Sequence, residues 1–163
     1  MPDTGRPALT AGSFPPVERL LDHRGSMLLL DAVTAYEGET LEAHYRVRAG
    51  AWYAGADGAM PGWMGVEIMA QSIAAHSALS ALEAGRAPRS GALLGTRQYV
   101  CRQPGFAADA ELCARARRTY HDADGLAAYE CALSLDGAEV ASAVLTVIEP
   151  ENFDAFLTRG ATP

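Results

Sequence analysis

Residues 60–84, with the sequence MPGWMGVEIMAQSIAAHSALSALEA, decide the fold of this chain. The segment has many alanines and few β-branched residues, and its only proline, Pro61, stands where the first turn of a helix tolerates one. It therefore predicts one long helix over residues 62–84. At roughly 100° per residue, the polar residues fall on one narrow stripe, which consists of Ser72, His76, Ser80 and Glu83. We expect that only this polar stripe faces solvent.

Strand-like segments flank the predicted helix on both sides. Before it, residues 27–36 form an apolar run, and residues 41–48 alternate between apolar and polar side chains with a period of two. Four further strands are predicted after it, at 92–102, 110–121, 126–135 and 138–148. Turns at 122–125 and 136–137 join the last three into a meander. The class is α+β, and the order favours a hot-dog fold, in which a curved antiparallel sheet wraps around one long central helix.

Length and composition limit the organisation and the partners. The 163 residues predict one domain, 1–163, with a loose lead-in at 1–19 and a C-terminal tail at 149–163. The formal net charge of −7 argues against nucleic-acid binding, which requires a basic surface. No apolar run reaches the ~20 residues that span a bilayer, and the N-terminus lacks a signal-peptide pattern, so we expect a cytoplasmic protein with no membrane span. The cysteines have no metal-ligand spacing, and we expect reduced thiols and no metal.

Glu67 stands out on the predicted helix because it lies about opposite the polar stripe, near Trp63, Gln71 and Ala74. A carboxylate on an apolar face is costly, and glutamate is rarely buried without a partner. One interpretation is structural: a bond to Gln71, one turn on, or to an arginine from a strand. The other is chemical: a carboxyl group in an apolar cleft that donates or accepts a proton.

The start of the same helix offers a second chemical group. Its first backbone N–H groups have no intrahelical partner, and Gly62 has no side chain to keep a substrate oxygen away from its amide. Free amides and the positive end of the helix dipole predict a site for a polarised carbonyl or an oxyanion. An acid close to such a carbonyl clamp suits chemistry on an acyl thioester.

Two motifs resemble those of the bacterial 3-hydroxyacyl-acyl-carrier-protein dehydratases. Residues 60–71 (MPGWMGVEIMAQ) resemble the central-helix motif of that family, which has Met-Pro-Gly, four residues, a catalytic Glu or Asp and usually Met-Ala-Gln. Residues 21–31 (LDHRGSMLLLD) resemble its N-terminal Leu-Pro-His-Arg, followed by an apolar run and Asp. The family also has a His-Phe-Pro-Gly segment, but Tyr53 occupies the position of that histidine here. An intact helix motif with an altered preceding loop resembles the ApeP-like dehydratases of aryl-polyene clusters.

The resemblance implies a role for several residues. Glu67 would be the catalytic acid or base, Gln71 would hold it in position, and Gly62 would offer the thioester-binding amide. With the family histidine missing, His23 is the candidate base, since His44, His76 and His121 are predicted to be solvated or structural. An alternative role for His23 is to hold its own loop by hydrogen bonds. Trp52, Trp63 and Tyr53 would line an acyl tunnel or fill the core.

The resemblance also implies a reaction and partners. The expected reaction eliminates water from 3-hydroxyacyl thioesters on an acyl carrier protein, in fatty-acid or polyene biosynthesis, without a cofactor. The acidic carrier could contact several arginines or these could simply solvate strand faces: Arg97, Arg102, Arg115, Arg117 and Arg118. Open strand edges predict a homodimer, or a hetero-oligomer with a second hot-dog protein. The alternatives are an acyl thioesterase, in which Glu67 activates water, and a non-catalytic partner subunit of another dehydratase.

Overall fold

Six antiparallel strands and one long helix form the body of the protein. The structure, a computed structural model, describes residues 13–159. The elements are β1 Ala32–Glu37, β2 Thr40–Arg46, β3 Met60–Pro61, α1 Gly65–Glu83, β4 Ala92–Cys101, β5 Gly105–Phe106, β6 Glu111–His121, β7 Leu126–Leu135, β8 Ala138–Ile148 and α2 Phe153–Arg159. Short 3-10 helices cover Val17–Arg19, Gly25–Met27 and Gly62–Met64. The last of these joins α1 directly, so the long helix lies where the sequence predicts it.

The main sheet has the order β1-β2-β6-β7-β8-β4, and β3 and β5 form a separate two-stranded sheet. Strands β6, β7 and β8 are consecutive antiparallel neighbours, as the alternating sequence and the turn residues predict. Asp136 and Gly137 both have positive φ angles, of 50° and 79°, which is the conformation of a tight two-residue hairpin turn. β4 lies at one end of the sheet and pairs only with β8 among the described strands. The sheet curves around α1, which packs against β2, β6 and β7.

The predicted polar stripe of α1 is wrong for two of its four residues, although Ser80 is half-buried and Glu83 is exposed. Ser72 and His76 are fully buried, with Ser72 Oγ donating to the Ile68 carbonyl. The side of α1 that is left partly open instead contains Val66, Glu67, Ala70, Ala74, Ser77 and Ser80. The prediction failed because a small apolar residue such as alanine can line an open groove as readily as a core. A serine or a histidine, in turn, can be buried when it has hydrogen-bond partners.

The ends of the chain and the first predicted strand also differ from expectation. Val17, Leu20 and Leu21 are buried, so the described end of the lead-in packs against the core; residues 1–12 of the lead-in lie outside the described residues. Residues 28–31 precede β1 and are not strand, because the Leu29 amide donates to Gln71 on α1. In the tail, α2 stacks Phe153 on Phe156, and residues 160–163 lie outside the described part.

Two further observations concern membrane-spanning helices and the state of the cysteines. Within residues 13–159, no helix is long and apolar enough to cross a membrane. Cys101, Cys113 and Cys131 are all free thiols. Burial raises the pKa of the Cys131 thiol to about 12, so this side chain behaves as a small apolar core residue.

Candidate active site

Three polar side chains meet beside the start of α1. Glu67 lies in the first turn of this helix and Gln71 lies one turn further on. His23 reaches them from the loop before the Gly25–Met27 helix, and its Nε2 lies 3.3 Å from Glu67 Oε1. The Glu67 and His23 side chains are 36% and 37% exposed, whereas Gln71 is fully buried. We call these three residues the Glu67 cluster.

Gln71 holds the cluster together because all of its polar atoms have fixed partners. Its Nε2 donates to the Met27 carbonyl and to Glu67 Oε1, both at 2.8 Å. Its Oε1 accepts from the Leu29 amide at 2.8 Å. Exchanging the amide oxygen and nitrogen would set a donor against the Leu29 N–H, so the orientation of this amide follows from its partners. Gln71 therefore joins Glu67 to the segment that carries His23.

The two carboxylate oxygens of Glu67 are not equivalent. Oε1 accepts from Gln71 and contacts His23. Oε2 has no hydrogen-bond partner within residues 13–159, and the side chain lines a cleft. A carboxylate held at one oxygen and open at the other has a fixed direction and a free proton-transfer atom.

His23 has one engaged and one unengaged ring nitrogen. Nε2 contacts Glu67, whereas Nδ1 is buried without a hydrogen-bond partner in the described part of the chain. A second partner normally fixes the tautomer of a functional histidine. Since no second partner is present here, the contact with Glu67 decides the tautomer: an ionised carboxylate can only accept, so it favours a proton on His23 Nε2.

Gly62 does not offer the free amide that the sequence predicts. Its N–H donates to the Pro104 carbonyl at 2.9 Å, and Tyr99 Oη donates to the Gly62 carbonyl. A Cβ at this position would lie 2.7 Å from the Gln103 carbonyl oxygen and 2.9 Å from Cys101 Sγ. Glycine is therefore required here by packing of the helix start against the β4–β5 segment, and the free-amide prediction is wrong.

Tyr99 is a residue of this region that sequence reasoning missed. It lies on β4, 37 residues from Gly62 along the chain, and it ties the helix start to the edge of the sheet. Burial raises the pKa of its hydroxyl above the ordinary value, so it stays a hydrogen-bond donor. No local pattern marks such a long-range contact, although a tyrosine in an otherwise exposed strand is a weak signal.

Tyr53 and Trp63, both predicted to bind substrate, occupy different environments. Tyr53 is buried; its hydroxyl hydrogen-bonds to that of Tyr45 at 2.6 Å and accepts from the Arg48 amide at 3.0 Å. These contacts lie away from the Glu67 cluster, and they give Tyr53 a packing role in the single chain. Trp63 is 65% exposed, one turn before Glu67, so it does not fill the core of this chain. Trp52 is also exposed, and its Nε1 donates to the Ser26 carbonyl.

A cleft of about 510 Å³ runs from the Glu67 cluster along α1. His23 and Glu67 lie at one end, and the partly open side of α1 forms one wall through Ala70, Ala74 and Ser77. The opposite wall comes from β7, β8 and the turn between β6 and β7. The alanines leave an elongated space beside the Glu67 carboxylate.

The other histidines do not reach the Glu67 cluster. His44 and His121 are exposed, and His121 lines the far part of the cleft. His76 is fully buried rather than solvated, with Nδ1 3.0 Å from Tyr129 Oη and Nε2 2.8 Å from the Gly38 carbonyl oxygen. Because a carbonyl can only accept, Nε2 of His76 carries the proton and Nδ1 accepts from Tyr129.

Most of the arginines predicted to contact an acidic carrier are paired within the chain. Four of the five form ion pairs with glutamates: Arg102 with Glu139, Arg115 with Glu42, Arg117 with Glu130 and Arg118 with Glu39. Arg115 and Arg117 pair across neighbouring strands, whereas Arg102 lies just after β4 and Arg118 pairs with Glu39 in the turn between β1 and β2. Of these five arginines, only Arg97 has no ion pair among the described residues.

A curved six-stranded sheet around one long helix, with a histidine and a carboxylate in contact at the helix start and a cleft beside them, defines a hot-dog-fold protein. The chain belongs to the ApeP-like family: the family model described as ApeP dehydratase matches residues 15–158. A dehydratase-like role follows from that membership.

Solved structures agree with this assignment. A chain of the dehydratase heterocomplex ApeI:P from Xenorhabdus doucetiae is similar over 92% of this chain and 100% of its own length, with a TM-score of 0.85 and 25% identity. The TT0310 protein from Thermus thermophilus has a TM-score of 0.55 at 19% identity, covering 72% of this chain and 90% of its own. The E. coli PaaI protein has a TM-score of 0.56 at 12% identity, covering 72% of this chain and 78% of its own. The last two share the fold alone. No curated protein matches the sequence.

Proposed function

We propose that this protein eliminates water from 3-hydroxyacyl thioesters carried by an acyl carrier protein, in the cytoplasm and without a metal. The observation that carries the proposal is the 3.3 Å contact between His23 Nε2 and Glu67 Oε1 at the end of an elongated cleft. Dehydration needs an acceptor for the α-proton and a donor for the leaving hydroxyl, and these two side chains supply one of each. The family membership supports the same reaction.

The proposed step conserves protons over one turnover. His23 takes the α-proton, the resulting electron pair forms the Cα–Cβ double bond, and the 3-hydroxyl leaves as water with the proton of Glu67 Oε2. The imidazolium then passes the proton from Nε2 to Glu67 Oε1 through their direct contact, and proton exchange with water in the open cleft restores the acid at Oε2.

The negative charge that develops on the thioester oxygen needs a donor other than Gly62. Trp63 is the next residue of the helix start, and its amide has no partner among the described residues. We assign the carbonyl clamp to this amide, where the helix dipole also favours negative charge. The exposed Trp63 side chain then flanks the thioester.

The free edge of β4 supports assembly with a second hot-dog chain. Leu93, Leu94 and Val100 of this strand are exposed, and β4 has a partner on only one side within the described sheet. An apolar strand edge of this length calls for a partner strand. Both a homodimer and a hetero-oligomer would supply this partner strand. The similarity to a chain of the ApeI:P heterocomplex supports the hetero-oligomer.

A substrate comparison tests the function. The purified protein is mixed with a 3-hydroxyacyl and with a plain acyl thioester of the same carrier protein, and both enoyl formation and thiol release are followed. Enoyl formation from the hydroxylated substrate alone supports a dehydratase. Thiol release from both substrates supports a thioesterase, in which Glu67 Oε2 activates water. Enoyl formation that appears only after a second hot-dog subunit is added supports the partner-subunit alternative.

A further inference from the structure

The positive charges of this protein are all guanidinium groups. The sequence has 13 basic residues, and every one of them is arginine. Six of the described arginines form ion pairs with carboxylates: Arg46, Arg48, Arg102, Arg115, Arg117 and Arg118. Arg86 and Arg89 have no such pair within residues 13–159, and both line the same cleft as His23 and Glu67. Two unpaired cations beside a candidate active site require an explanation.

Arg86 and Arg89 are held in place by the segment that carries them. This segment, residues 84–91, is called the strap below. At its first end Gly85 has a φ of +68°, and the amides of Gly85 and Arg86 donate to the carbonyls of Leu82 and Ala81 at 3.0 and 2.8 Å, which closes the helix end. At its other end Ser90 Oγ donates to Asp22 Oδ2 at 2.6 Å.

The strap therefore runs back along the cleft from the end of α1 to the residue beside His23. Arg89 lies three positions after Arg86, so their Cα atoms are at most about 11 Å apart. Pro88 between them restricts the backbone. Both arginine side chains are exposed. The strap thus presents two guanidinium groups at one border of the cleft.

Two of the carboxylates that line the cleft, Glu149 and Asp122, have donors of their own. Glu149 accepts from Ser77 Oγ, and Asp122 accepts from the amides of Asp124 and Leu126 and from the Tyr120 hydroxyl. Glu151 is exposed at the start of the tail. None of these groups forms an ion pair with Arg86 or Arg89 among the described residues, so both guanidinium groups are free for an external anion.

We infer that the strap binds the phosphate of the phosphopantetheine arm on which the carrier protein presents its acyl group. A guanidinium group binds phosphate through paired N–H donors and stays charged at every physiological pH. The thioester lies at Glu67, and the arm leads from it along the cleft border to a phosphate between Arg86 and Arg89. This inference rests on the proposed function, because it assumes a thioester substrate on a carrier.

Two variants with the same net charge test it. R86A/R89A removes the strap arginines, and R19A/R159A removes two exposed arginines that lie outside the cleft. Each protein is titrated by calorimetry with 4′-phosphopantetheine and with pantetheine, which lacks the phosphate. We expect the wild-type protein and R19A/R159A to bind 4′-phosphopantetheine at least tenfold more tightly than pantetheine. R86A/R89A should bind the two compounds equally.

Kinetics separate this inference from the proposed function. Three substrates are compared: the 3-hydroxyacyl thioesters of pantetheine, of 4′-phosphopantetheine and of the carrier protein. R86A/R89A should raise KM at least tenfold for the last two, which carry the phosphate. It should leave kcat, and the KM for the pantetheine thioester, unchanged. An unchanged KM for the phosphate-bearing substrates, or equal binding of the two arms by the unchanged chain, overturns the inference even if dehydration is observed. Absence of dehydration with preserved phosphate discrimination overturns the proposed function instead.

Discussion

Helix α1 carries two polar networks that differ in one respect. Near its start, the Glu67 cluster leaves Glu67 Oε2 and His23 Nδ1 without partners in the described chain. Further along, His76 is fully buried and both of its ring nitrogens are bonded, one to Tyr129 and one to Gly38. Each network contains a histidine, but only the second is complete.

Completeness distinguishes a structural network from a chemical one. The bonds of His76 join α1 to β7 and to the turn between β1 and β2, and they fix one neutral tautomer. A group in that state has no vacant site for a substrate. The Glu67 cluster has fixed positions through Gln71 but keeps Glu67 Oε2 free at the cleft. The comparison predicts that changes in the first network affect turnover, and that changes in the second affect stability.

The largest expected effect is that of Glu67→Gln on turnover. The amide keeps an oxygen for the Gln71 donor but cannot supply or accept the proton, so the dehydration rate should fall by about 10³-fold or more. The melting temperature should stay the same, because the side chain is partly exposed and the packing is unchanged. Glu83→Gln, on the same helix but outside the cleft, is the control and should keep full activity. Substantial activity in Glu67→Gln would remove this residue from the mechanism.

His23→Ala should lower the dehydration rate by about 10²–10⁴-fold, which is typical of losing a general base. Binding of the carrier-linked substrate should remain largely intact, since the change removes no group assigned to binding. The exposed histidine His44, replaced by alanine, is the matched control. An unchanged rate in His23→Ala would mean that His23 is not the base. Glu67 would then have to carry out both proton transfers, and a role for His23 in holding its loop would be favoured.

His76→Gln tests the complete network and should destabilise the fold by about 2–4 kcal/mol. A glutamine side chain cannot replace both ring nitrogens at their positions, so a buried donor or acceptor loses its partner. Denaturant unfolding measures the loss, and turnover per folded molecule should be unchanged. A stability equal to that of His44→Gln would show that the network contributes nothing.

The same residue predicts a pH dependence of stability. Burial lowers the pKa of His76 below its ordinary value of 6.5, although the bond to the Gly38 carbonyl opposes the shift. Below pH ~6.5 the unfolded chain therefore binds more protons at this site than the folded chain. Stability is fully present above that pH and falls as the pH drops towards the lower folded-state pKa. Thermal unfolding from pH 8 to about 5 should show this fall in the unchanged chain and a smaller one in His76→Gln.

At lower pH, the ion pair between Glu39 and Arg118 causes a separate loss of stability. The hydrogen bond from Arg118 lowers the pKa of Glu39 from its ordinary value of 4.5, so this group adds a loss only below about pH 4.5. A fall in stability that begins below pH 4.5 in both proteins would therefore exclude His76 as its source.

The smallest expected effect is that of Tyr129→Phe. This change removes only the hydroxyl that donates to His76 Nδ1 and leaves the buried ring in place. The free energy of unfolding should fall by about 1–2 kcal/mol, less than for His76→Gln. If the two losses are equal, the bond to Tyr129 carries the whole effect and the bond to Gly38 contributes little.

The sequence was sufficient to predict most of the fold. Strands β7 and β8 have the predicted bounds because their turns are marked by residues such as Gly125 and Gly137, and because period-two alternation is a local signal. The orientation of α1 was predicted wrongly because alanine is compatible with both a core and a groove. His76 was assigned to solvent because its partners, Gly38 and Tyr129, are far away in sequence.

The candidate site was predicted in part for the same reason. The contact between Glu67 and Gln71 follows from their spacing on one helix and is present. The proximity of His23 to Glu67 was expected from the resemblance, and the structure places the two 3.3 Å apart in one chain; the roles of both stay predictions. The occupied amide of Gly62 could not be predicted, since Pro104 lies in a loop without periodicity.

The free edge of β4 has a consequence for how the protein must be made in the cell. Its exposed leucines and unpaired backbone groups form a template on which any other extended chain can add. A copy synthesised without its partner strand is therefore expected to aggregate or to be degraded, and in a hetero-oligomer the supply of the two subunits then has to be matched. Yield of undegraded protein should rise when the correct partner is co-expressed, which gives a way to find that partner by solubility alone.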